Sequence, residues 1–82
     1  MVKKSLYVVT KTIVGRVSLT TDTYVLGYSN SREEAINLLL SEYEKTYELE
    51  YDPSKFVHNE IGWTYKSDFI ITSVEIHVAI AI

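Results

Sequence analysis

The sequence predicts an α+β domain of order ββαββ, an antiparallel four-stranded sheet with one helix packed across one face. Three observations predict it. A single stretch, residues 30–45, carries helical spacing and a capping signal. The segments on both sides of it are rich in Val, Ile, Thr and Tyr. The one proline, Pro53, breaks the chain between the helix and the later strands.

The first strand is "SLYVVTKTIV" (5–14) and the second is "DTYVLGYS" (22–29). Gly15 and the polar "SLTTD" lie between them, so the two form a hairpin whose turn falls either at Gly15-Arg16 or at Thr20-Thr21-Asp22. The helix follows at about 31–47. Ser31 stands three residues before Glu34, the reciprocal arrangement of a capping box, and Glu33 and Glu34 place negative charge at the positive end of the helix dipole. Ile36, Leu39, Leu40, Tyr43 and Tyr47 make the apolar stripe, with Ala35 on its flank; Asn37, Ser41, Glu44, Lys45 and Glu48 face water. A helix of this length is marginal alone, so the stripe is expected to cover the sheet.

"FVHNEIGWTYK" and "FIITSVEIHVAIAI" supply the third and fourth strands. In the last of these, Ile70, Thr72, Val74, Ile76, Val78, Ile80 and Ile82 share one face, the core face. A two-residue turn at Ser67-Asp68 sets Tyr65, Trp63, Ile61 and Val57 on that same face. It also places His58 opposite His77 and Glu60 opposite Glu75 on the outer face. Two imidazoles and two carboxylates on one patch are the raw material of a transition-metal site, yet such patterns recur on solvated strands and a flat face offers no cavity. Catalytic arrangements are otherwise missing from the sequence: there is no Gly-x-Ser-x-Gly and no glycine-rich phosphate loop.

Composition narrows the rest. Eighty-two residues form one domain, 1–82, with a thin core, which makes partners or self-association attractive. With 46% hydrophobic and 23% charged residues, the chain is expected to fold. A net charge of -3 argues against a binder of nucleic-acid phosphates. The chain has no cysteine, no apolar run long enough to span a membrane, and after Met1-Val2-Lys3-Lys4 no apolar region adequate for export, so the expected location is the cytoplasm.

Seven tyrosines, one tryptophan and two phenylalanines are a heavy aromatic load. Tyr7, Tyr43, Tyr47 and Trp63 are expected to complete the core. Tyr24, Tyr28, Tyr51 and Tyr65 are harder to bury together and are the expected protein interface. "VEIHVAIAI" has neither proline nor a charge after Glu75, apart from a protonated His77, so as an edge it would be unguarded, and it either lies inside the sheet or pairs with another copy. A homodimer through Val78, Ile80 and Ile82 follows from the latter.

The run "YVLGYSNSREEAINLLL", with the strand before it, resembles short ββα proteins of bacteria and their phages over residues 5–43. That resemblance carries over no functional residue. It implies a small acidic, non-enzymatic protein of the kind that includes phage inhibitors of host defence or regulatory proteins. The leading expectation is therefore a binding or inhibitor-type module without a cofactor. The alternatives are a protein that sequesters a small ligand or nucleotide, and a metal-dependent enzyme using His58, Glu60, Glu75 and His77.

Overall fold

The computed structural model describes residues 4–50 and 52–81. Five strands form one antiparallel sheet: β1 (Lys4–Gly15), β2 (Thr21–Ser29), β3 (Phe56–His58), β4 (Gly62–Lys66) and β5 (Ile70–Ala81). Their lateral order is β2-β1-β5-β4-β3. One helix, α1 (Arg32–Glu50), crosses one face, and a 3-10 turn, Pro53–Lys55, leads from it into β3. The α+β class with a single helix is as expected; the sheet has five strands where four were predicted.

The extra strand comes from Asn59. Its side-chain Oδ1 accepts the N–H groups of Ile61 and Gly62, both at 2.9 Å, and its own N–H donates to Gly62 O at 2.9 Å. An asparagine that hydrogen-bonds the backbone two and three residues on makes a turn. The predicted single strand "FVHNEIGWTYK" therefore folds back on itself, and His58 pairs with Trp63. Residues before the turn change faces: Val57, expected in the core, is exposed, and His58 stands on the helix side.

Between β4 and β5 the turn is wider than predicted. Ser67 Oγ accepts the N–H groups of Phe69 and Ile70, and Ser67 N donates to Ile70 O. Trp63 is thus opposite Val74 and Tyr65 opposite Thr72, two residues away from the predicted register. A shift of two keeps every side chain on its expected face. Trp63, Tyr65, Thr72 and Val74 are buried.

The first hairpin turns through Arg16–Thr20, between the two predicted positions, with Gly15 N donating to Thr20 O at 2.7 Å and Val14 opposite Thr21. Arg16 ties this loop to the other turn through its N–H to Phe69 O and its guanidinium to Ser67 O. Further along, the β1–β2 register slips between Val9 and Thr10, which inserts Leu26 as an extra residue.

The helix begins where the capping signal placed it, but a second serine enters the cap. Glu34 N donates to Ser31 Oγ at 3.4 Å, whereas Ser31 N donates to Ser29 Oγ, whose hydroxyl in turn donates to the Glu34 carboxylate. The buried stripe is turned slightly from the predicted one. Ala35 lies at its centre, 2% exposed, flanked by Leu38, Leu39, Tyr43 and Tyr47 against the core, while Leu40 is 47% exposed. The small Ala35 side chain lets the helix approach the sheet there, and Leu38 Cδ2 reaches the bare backbone of Gly27.

Under the helix, Val9 and Val74 are fully buried beside Trp63, Tyr65 and Phe56. Tyr43 meets two of these rings edge to face, Phe56 at 5.0 Å and Trp63 at 5.8 Å between centroids. Lys11, on the covered face, is neutralised by Glu42 of α1 at 2.8 Å.

β5 lies inside the sheet, and among the described residues one side of its last stretch has no strand beside it. β1 pairs with it along its whole length, from Gly15 opposite Ile70 to Lys4 opposite Ala81. On its other side, β4 accompanies it only from Lys66, opposite Ile71, to Gly62, opposite Glu75.

Candidate functional site

The four residues of the predicted metal patch are not gathered. His58 projects on the helix side, its ring 4.9 Å from that of Tyr43. Glu60 sits in the Asn59–Gly62 turn. Glu75 and His77 share the uncovered face two residues apart, with His77 Nε2 3.8 Å from Glu75 Oε1 and 3.1 Å from Thr10 Oγ1. Gly62, not Glu60, lies opposite Glu75, and Val8 rather than a histidine pairs with His77. Among the described residues no group of three or more His, Asp or Glu side chains is placed to hold a metal ion.

The predicted interface tyrosines separate as well. Tyr65 is 2% exposed and packs on Phe56 in the core, so it is corrected from interface to core. Tyr24 and Tyr28 remain exposed, at 51% and 73%, with Val25 between them at 64%. Both belong to β2, the outer strand on one side of the sheet. Because of the extra residue Leu26, they point to opposite faces: Tyr24 lies opposite Lys11 of the covered face and Tyr28 opposite Val8 of the uncovered one. Tyr51 and Ile82 lie outside the described residues. Val78 is 61% exposed, and Ile80 pairs through its backbone with Ser5.

A second free region lies beside the end of β5. Beyond Gly62, the lane beside β5 stops at Ile61, whose carbonyl accepts Ile76 N–H at 2.7 Å. From His77 onward, among the described residues, β5 has β1 on one side and no strand on the other. Successive backbone groups along a strand alternate sides. Ile76 N–H points into the lane, so the N–H and C=O groups of Val78 and Ile80 point there too. Beside this lane opens a cleft of about 490 Å³ lined by Tyr7, Arg32, Glu60, Ile61, Ile76 and Val78. Its walls are mainly apolar, with one cation from the first residue of α1 and one anion from the Asn59–Gly62 turn. The sequence clue to it was Asn59, which ends β3 and so shortens the neighbour of β5.

One carboxyl has a shifted titration, and it lies away from the cleft. Ser54 donates to Asp52 through its hydroxyl at 2.6 Å and its N–H at 3.1 Å, and these bonds, the hydroxyl first, hold the Asp52 pKa below its ordinary value. They cap the 3-10 turn that starts at Pro53. Among the described residues, no helix is long and apolar enough to cross a membrane. Set against known proteins, the chain matches no family model, no curated protein and no solved structure.

Proposed function

We propose that this chain is a non-enzymatic binding or inhibitor-type module that acts through protein–protein contact. The observation that carries this reading is the pair Val25 and Tyr28 on the uncovered face of the outer strand β2, both more than half exposed, with the exposed Tyr24 on the other face of the same strand. Tyrosines with an apolar neighbour are the composition that anchors interfaces, because each ring offers contact area and a hydrogen-bonding tip at low conformational cost. In the inhibitor form of the reading, the partner is a defence or regulatory protein with a basic surface, which the net charge of -3 attracts. A second copy of the chain is another protein partner of the same kind, reached through β5.

Capture from a lysate of the source organism tests the reading. A protein retained by the parent chain and lost from both Tyr28→Ala and Val25→Ser supports it; retention by both variants refutes the β2 surface.

The cleft beside Val78 favours a second reading, sequestration of a small ligand, since its volume falls within the roughly 300 to 1,000 Å³ of ligand sites and Arg32 offers a cation to an anionic group. A nucleotide released from the purified protein on heating, and absent from Arg32→Ala, would favour that reading over the first.

A further inference from the structure

We infer that the open lane beside β5 is occupied by β5 of a second copy, the two strands pairing antiparallel about a two-fold axis beside Ala79. The inference rests on the reading of this chain as a protein-binding module and names the partner and the groups that meet. The lane is open because β4 begins at Gly62, opposite Glu75, and the carbonyl of Ile61 closes it at Ile76. What remains is the stretch in which Val78 and Ile80 direct outward N–H and C=O groups that no strand among the described residues pairs. Unpaired strand edges take up further strands, and soluble proteins guard them with Lys, Pro or bulges. From Val78 to Ala81 there is no charged residue and no proline, and the β1–β5 ladder runs through this stretch without a bulge.

Self-pairing suits this segment for three reasons. A two-fold axis brings each residue close to its own copy, so a charge there would meet a like charge; here the residue at the axis is Ala79, exposed, uncharged and small. Val78 then lies opposite Ile80 of the second copy, and each supplies the donor and acceptor that the other lacks. An axis normal to the sheet also keeps the helix-covered faces of both copies on one side. The exposed Val78, on the cleft side with Tyr7 and Ile76, is then met by an apolar partner strand. The product is a closed isologous dimer with one continuous sheet.

The test uses the full chain. Mass in solution is measured against concentration by sedimentation, and amide exchange is followed at Val78, Ala79 and Ile80. The expected result is a monomer–dimer equilibrium in which the Val78 and Ile80 amides gain protection only as dimer forms, while Ala79, bonded to β1, is protected throughout. Val78→Pro removes a donor that points into the lane and leaves the β1–β5 bonds intact, and Val78→Lys places a charge beside the axis. Both variants are expected to stay monomeric with the circular dichroism of the parent; the lysine variant decides the matter if the proline variant does not fold. A parent that is monomeric at every concentration overturns the inference, as does a dimer that survives Val78→Lys. So does protection of Val78 and Ile80 by a foreign chain alone. None of these results touches capture through Tyr28 and Val25, which is read by the lysate experiment.

Discussion

The indole Nε1 of Trp63 donates to the main-chain carbonyl of Leu39 across 3.1 Å, joining the centre of β4 to the middle of α1. Trp63 is 1% exposed, so the bond lies in the core and fixes the height of the helix over the sheet. Replacing Trp63 by Phe keeps a ring in the site but removes the donor and some volume. We expect a loss of about 2 kcal/mol, from one hydrogen bond and a partial cavity, measured by urea denaturation.

The rotation of the helix face separates two adjacent leucines. Leu39 packs against the core and Leu40 is 47% exposed. Leu39→Ala should cost roughly 2 to 3 kcal/mol, and Leu40→Ala about 0.5 kcal/mol or less. Equal losses in thermal or urea unfolding would refute the observed face and restore the predicted one.

Gly62 has no room for a side chain. A Cβ there would stand 1.9 Å from Val74 O and 2.9 Å from Glu75 Cα, both parts of the sheet backbone. Gly62→Ala should therefore cost about 3 kcal/mol or more. At Gly27 the nearest obstacle to a Cβ is the end of the Leu38 side chain, at 2.6 Å, which can turn aside. Gly27→Ala should cost only about 1 kcal/mol, so comparing the two melting temperatures checks the close approach of β4 and β5.

The Asp52 cap predicts a pH signature. The Ser54 bonds hold the folded-state pKa below the ordinary value of 3.8, so Asp52 contributes stability above that pH and loses it as pH falls through the folded-state value. Asp52→Ala should melt below the parent at neutral pH, and the gap should narrow as the solution is acidified past the ordinary carboxylate range. A gap independent of pH would refute the hydrogen-bonded carboxylate.

Local chemistry made much of this fold legible, and long-range pairing hid the rest. Ser31 and Glu34 announce the start of the helix because capping involves only neighbours in sequence. The alternation from Ile70 to Ile76 announces the buried face of β5, and that face holds even though the partner of Lys66 moves two residues along, from Phe69 to Ile71. The break at Asn59 was written in the side chain, but the continuous β-rich composition around it masked the turn, which moved His58 away from His77 and dissolved the expected metal patch. The extra residue at Leu26, which sends Tyr24 and Tyr28 to different faces, leaves no mark in a pattern read along one strand. Strand order lay further out of reach, since nothing near Ile80 in sequence indicates that its neighbour is Ser5.

The pairing of Lys4 with Ala81 and of Gly15 with Ile70 means that β1, made before the other strands of the sheet, has to await β5, made after them, before it acquires its inner neighbour. Until then the β1–β2 hairpin has one bonded side and an exposed apolar face, a condition in which an isolated hairpin is marginal. Most of the sheet's cohesion is therefore deferred to a single late event, the arrival of β5 between β1 and β4. Contacts this distant along the chain slow folding, because the intervening loop must close before any of them forms. The lateral order of the strands thus makes this small protein a slow folder for its length, with its half-made sheet open to other nascent chains during synthesis.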